Sequence, residues 1–230
     1  MDEKAKLLVD HYQKTFELTY ELWEQRNRTF LILIGVIGAA TLLTFRIFEA
    51  NSLLVDLVAK ALNITDPNRV ETLRKSFPFG ILQSVLLFVI FYLMMNLYHR
   101  AVSVLRNYRY LGLLETEIRK YLNLLDTEVA FSREGNFYWH NRGWVLGVVK
   151  WIYFALLGAL LLSFFVGKAI NDISTGSRIL IAVDALMGIP TLFFFGAYVK
   201  SSIRFDRATS IQNTSNQSDS QTSRSGAHGS

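Results

Sequence analysis

The sequence predicts an all-α integral membrane four-helix bundle with a cytoplasmic amphipathic helical projection, and three observations carry that prediction. Four apolar runs, residues 29–45, 77–98, 144–166 and 179–199, hold almost no charge. Each matches the about 17–25 residues a helix needs to cross a hydrocarbon core ~30 Å thick at ~1.5 Å per residue. Lys and Arg are also unevenly divided between the segments that separate the runs: 16 fall on the side that holds both termini and 7 on the other. Basic residues are retained on the inner face of a membrane, which places both termini in the cytoplasm.

Residues 1–28 read as a cytoplasmic amphipathic helix, with Leu8, Tyr12, Thr15, Leu22 and Trp23 at helical spacing and Asp10, Glu17, Glu21 and Glu24 at other positions. This leader carries six acidic and five basic residues, unlike the short net-positive start of a signal peptide. No Pro or Gly separates it from the first run, so one helix of roughly 45 residues, about 70 Å at ~1.5 Å per residue, is expected to continue into the span 29–45.

The outer loop 46–76 contains a second apolar stripe, Leu53, Leu54, Leu57, Val58, Ala61 and Leu62, suited to lie on the outer leaflet or to cap the bundle. Asp66-Pro67-Asn68 is expected to end it with a turn. The second span, 77–98, leads into a cytoplasmic helical insert and a loop back to the bilayer, 99–143. In the insert Leu111, Leu114, Ile118, Tyr121 and Leu125 recur 3, 4, 3 and 4 apart. That is coiled-coil spacing, and it marks these five as the helix for a partner or an oligomer contact, with the N-terminal helix as the natural mate.

The third span, 144–166, and the fourth, 179–199, form a hairpin across a short polar outer loop, 167–178. From Ala208 onward the chain is Ser, Thr, Asn, Gln and Gly with Ile211 as its one large hydrophobe, so the cytoplasmic segment 200–230 is expected to be mostly disordered.

Chemistry is sparser. Asp184 lies about one turn inside the fourth run, a costly place for a carboxylate unless it is paired, protonated or facing water. It is the pore or ion-path candidate; the competing reading is a structural bond to a neighbouring helix or to Arg46, Lys168 or Arg178. Gly188 and Pro190 interrupt the same run and predict a bend, either a gating hinge or a packed kink. Arg133, Tyr138, Trp139, Arg142 and Trp144 form a membrane-interface anchor of aromatic and basic side chains, with a ligand-recognition loop as the alternative. Lys150 joins this anchor by extending its stem toward the headgroups, and its depth argues against a pair with Asp184.

No catalytic signature occurs, and His11, His99, His140 and His228 lack metal-ligand spacing, so no enzyme, metal or cofactor is predicted. With no cysteine there is no disulfide, thiolate nucleophile or cysteine-held metal. The net charge of +5 is assigned to anionic lipid, because most basic residues flank the runs; no specific nucleic-acid binding is predicted.

Tyr20-x-x-Trp23-x-x-x-Asn27-x-Thr29 at the entrance to the first span, the insert Tyr110-Leu111-x-x-Leu114-Glu115 and Arg133-Glu134-Gly135 before the third give a layout that resembles small bacterial multi-span membrane effectors of the SLATT and related four-helix type. The resemblance implies a pore-forming effector of antiphage or stress defence in the bacterial inner membrane. It assigns no residue a role. The expected function is therefore an oligomeric channel or pore gated through its cytoplasmic helices. The alternative is a non-conducting membrane anchor or signalling subunit that recruits a soluble cytoplasmic partner.

Overall fold

The computed structural model describes residues 3–45, 48–124, 144–176 and 178–225. Among the described residues every regular element is helical: α1 (Glu3–Thr44), α2 (Phe48–Ala61), α3 (Pro67–Ser76), α4 (Phe79–Tyr121), α5 (Trp144–Thr175) and α6 (Arg178–Ser225). Four of them, α1, α4, α5 and α6, are long and apolar enough to cross a membrane.

The expected merger of the leader with the first span is seen, since α1 runs unbroken for 42 residues. A merger that was not expected joins the second span to the insert, because α4 continues for 43 residues. The physical reason lies in the sequence of its middle: Tyr98-His-Arg-Ala-Val-Ser-Val contains no Pro or Gly, so propagation costs less than ending and renucleating a helix. Asn123 at φ 52 then terminates α4, with Leu124 N donating to Arg119 O at 3.1 Å.

Three sequence boundaries shift. α5 continues through Thr175, so most of the predicted polar loop 167–178 is helix, and Gly176 at φ +69 takes the left-handed position that ends it. α6 continues to Ser225, where disorder was expected from Ala208; that segment carries neither Pro nor Gly before Gly226, and its polar residues are indifferent helix formers, not breakers. Asp66 does not close the turn after α2. That turn is made at Asn63, φ 58, while Asp66 caps α3 by accepting from Asn68 N at 3.0 Å, with Pro67 in the first turn.

The chain forms two compact units. The first comprises Met1–Asn27, Tyr98–Lys150 and Gly196–Ser230. In it α1 and α4 pair antiparallel: Lys4 lies 4.8 Å over the Tyr121 ring, His11 Nε2 is 2.8 Å from Tyr110 Oη, Tyr12 Oη donates to Glu115 Oε1 at 2.8 Å, and Arg100 donates to Gln25 at 2.8 Å. Ala5 and Thr19 of α1 and Ala101, Val104, Leu111, Leu114, Glu115 and Ile118 of α4 are buried.

The second unit comprises Arg28–Leu97 and Trp151–Phe195. Its four long segments close a ring, each touching two others. Gln83 of α4 donates to Leu43 O of α1 at 3.2 Å, and Phe30 of α1 meets Tyr153 of α5 edge-on at 5.5 Å. Phe91 of α4 lies 6.1 Å from Phe194 of α6, and Gly188 of α6 packs on Phe165 of α5. Inside are Leu33, Ile37, Leu87, Ile90, Met94, Leu157, Leu161 and Phe164, each close to fully buried. On α4 the buried positions 83, 87, 90, 94 and 97 alternate steps of 4 and 3, the geometry of a knobs-into-holes seam.

Leu31, Leu42, Val85, Phe88, Leu162, Leu186, Ile189 and Phe193 instead point outward and are exposed. A bundle dissolved in water places polar residues there; a lipid-facing one does not. On α2, Val55 and Ala59 are the buried pair, while Leu53 and Leu57 of the predicted stripe are exposed, and Asp56 pairs with Arg74 of α3 at 2.9 Å.

Candidate functional site

In the second unit, the C-terminal ends of α1 and α5 meet the N-terminal ends of α4 and α6, and a polar layer forms where the seam would otherwise continue with hydrophobes. The 3–4 spacing of buried residues on α5, Phe154, Leu157, Leu161 and Phe164, arrives next at Lys168. One turn later stands Asp172, on the same face of the helix. α6 brings Asp184 to them from the other side of the hairpin. Lys168 Nζ lies 2.8 Å from Asp184 Oδ2 and 3.2 Å from Asp172 Oδ1. The three side chains are 2%, 6% and 11% exposed for Lys168, Asp172 and Asp184 respectively.

The neighbouring polar groups are already engaged. Asn171 Nδ2 donates to Thr44 O at 2.9 Å, Thr44 Oγ1 donates to Ala40 O at 2.7 Å, and the Gln83 amide is held by Leu43 O. The ends of α1 and α5 approach so closely here that a Cβ on Gly167 would lie 2.6 Å from Thr44 Cγ2. Glycine at 167 is what permits the approach.

Among the described residues the cluster holds one ammonium and two carboxylates. The two carboxylates share the Lys168 ammonium, away from solvent. Among the described residues no group of three His, Cys, Asp or Glu side chains is arranged to hold a metal ion.

Of the residues singled out by sequence, Asp184 is thus placed in an ion pair with Lys168, one of the structural partners considered for it. Lys150 donates to Ser202 O at 2.8 Å. Gly188 is buried, and a Cβ on it would stand 3.0 Å from Phe165 Cε1. Pro190 lies within a continuous α6, and Thr191 Oγ1 donates to Met187 O at 2.7 Å beside it.

Leu111, Leu114 and Ile118 are buried in the unit that pairs α1 with α4, and Tyr121 carries the Lys4 contact. The surface they were expected to offer a partner is already covered within the chain. Exposed large side chains remain around that pair at Leu7, Leu18, Tyr20, Trp23 and Leu113. Leu125, Arg133, Tyr138, Trp139 and Arg142 lie outside the described residues, as does the side chain of Trp144.

Sequence reasoning considered Lys168 as a partner for Asp184 but missed Asp172 and the placing of both on one helix, because a loop was expected there. The available signal was their i, i+4 spacing in phase with the apolar positions of α5. Comparison of the chain with protein-family models, with curated proteins and with solved structures finds no match.

Proposed function

We propose that the chain is an integral membrane protein that crosses the bacterial inner membrane four times with both termini cytoplasmic. In this reading several copies assemble into a channel or pore, an effector gated through the helical segments outside the bilayer. The outward-facing Phe, Leu and Ile side chains of the second unit carry the membrane reading, since water offers them no partner and lipid does. The filled interior supports placing a conducting path between copies, because Leu33, Ile37, Leu87, Ile90, Leu157 and Leu161 leave no route through one bundle.

Planar-bilayer recording from the purified protein, with oligomer mass measured in the same detergent, tests the proposal. Discrete currents from a defined oligomer support it, and silence from a folded oligomer, with and without cytoplasmic extract as a source of ligand, counts against it. A second reading, a non-conducting anchor or signalling subunit for a soluble cytoplasmic partner, draws support from one specific feature. Leu7, Leu18, Tyr20, Trp23 and Leu113 are exposed on segments outside the apolar runs, where lipid does not account for them.

A further inference from the structure

α2 is apolar over more of its surface than its contacts within the protein use. At ~100° per residue, Leu53, Leu57, Ala61, Val58, Val55 and Ala59 follow one another around roughly two thirds of the helix, and Asp56 and Lys60 share a narrow edge. One half of the apolar arc is turned inward: Val55 and Ala59 are buried, and Asp56 beside them pairs with Arg74 of α3 at 2.9 Å. The other half faces out. Leu53 and Leu57, one turn apart, are 68% and 66% exposed, and Leu62, directly after the helix, is exposed as well. A helix that serves only to cap a bundle turns its apolar stripe onto the bundle and a polar face to water. α2 does the first with Val55 and Ala59, and its second face is again apolar.

The connections place that face beside the spans. Three residues lie between Thr44 and Phe48, and two between Ser76 and Phe79, so each link reaches no more than about 15 Å from a span end. The residues bordering the links continue the apolar surface: Phe45 and Ile81 are exposed, and the Phe77 and Phe79 rings pack 4.7 Å apart where α3 gives way to α4. α3 has the opposite character. It carries Arg69, Glu71, Arg74 and Lys75 and buries none of its residues. A hairpin standing free in water has no use for one apolar and one charged member; a hairpin lying on a bilayer with α2 beneath α3 has, because its lower helix meets lipid and its upper one water.

We propose that the Leu53–Leu57 face of α2 is a lipid-docking surface, embedded in the leaflet on the side of the membrane away from the N-terminus, with α3 above it in water. The continuous apolar surface from Phe45 and Ile81 selects lipid over a second copy of the chain as the occupant. The proposal rests on the membrane-spanning reading of the chain and needs neither conduction nor assembly of copies. Full-length protein in vesicles of phosphatidylethanolamine and phosphatidylglycerol, spin-labelled at one introduced cysteine per variant, tests it; the chain has no cysteine of its own. Collision with oxygen, which concentrates in lipid, is compared with collision with a nickel chelate, which stays in water.

Labels at Leu53→Cys and Leu57→Cys are expected to favour oxygen several-fold, at a depth of about 5–10 Å below the headgroup boundary. Labels at Arg69→Cys and Lys75→Cys, on exposed side chains of α3, are expected to favour nickel. Phe88→Cys and Leu162→Cys, on outward positions of the spans, report on the membrane reading itself. All these side chains are exposed, so the cysteines leave the packing intact. Nickel preference at Leu53→Cys and Leu57→Cys, with oxygen preference at Phe88→Cys and Leu162→Cys, overturns the proposal and leaves the four-span reading standing. Shielding of the two α2 labels from both reagents marks protein on that face, a second copy, and overturns it too. Nickel preference at all four positions overturns the spanning reading and the proposal together.

Discussion

Replacing Lys168 with Met removes the ammonium and keeps the volume of the side chain, leaving Asp172 and Asp184 facing each other without the one cation they share. Breaking a buried ion pair from one side costs about 3–5 kcal/mol, because the surviving charge is stranded away from water. Lys168 is 2% exposed and both of its carboxylates are largely buried, so water cannot readily take its place and the full range applies. At ~1.4 kcal/mol per factor of ten, the folded fraction relative to the unfolded falls roughly 100- to 1,000-fold or more. The assay is reversible unfolding in mixed micelles with increasing denaturing detergent, followed by helical circular dichroism. The control is the triple variant Lys168→Met/Asp172→Asn/Asp184→Asn. Neutral replacement of a whole buried charge set is often without net cost, so the triple variant is expected to recover all but about 1 kcal/mol of the loss. A Lys168→Met protein within about 0.5 kcal/mol of wild type would refute the reasoning: it would mean that the corner is hydrated and the carboxylates are solvated there.

Three further outcomes follow from particular contacts. Gly167→Ala is expected to destabilise the bundle by about 1–3 kcal/mol through overpacking against Thr44 Cγ2, 2.6 Å away; Thr44→Ser, which deletes that methyl and keeps the hydroxyl, should restore most of the loss in the same unfolding assay. Ile118→Asp, introducing a charge at a position 1% exposed, is expected to release α1 from α4 and speed protease cleavage of both, whereas Leu113→Asp, at 68% exposed, should leave the digestion pattern unchanged. Tyr12→Phe removes the 2.8 Å bond donated to the buried Glu115 and should cost about 1.5–3 kcal/mol, the range for hydrogen bonds to charged groups, read as earlier loss of amide protection in the paired segments.

Much of this architecture was legible because it rests on local periodicity. The four apolar runs, the unbroken passage of residues 1–28 into the first of them, and the match between the 111–118 seam and the N-terminal helix all depend on residue types at fixed spacing along one chain. Helix ends were less legible. Gly167, Lys168 and Asp172 read as loop residues by composition, yet packing against the end of α1 carries α5 to Thr175. The heptad of α4 was noticed only in its final third, since from Gln83 to Leu97 apolar residues occupy the outward face as well and mask the pattern. In a helix apolar on every side hydrophobicity alone does not separate the buried face from the exposed one.

Asp184 illustrates the division most directly. Its presence inside an apolar run already demanded a partner, because the cost of a bare carboxylate there follows from the residue and its depth alone. Which partner it has is a three-dimensional fact, set by the turn at Gly176 that brings α6 back along α5 in the one phase that faces Asp184 toward Lys168. Sequence by itself determined four helices of membrane-spanning length and a buried charge in need of compensation, since both follow from transfer energies summed along the chain. Only the tertiary structure decided that the partner is Lys168 and that Asp172 shares it, because which charges meet at a point depends on which helices meet there.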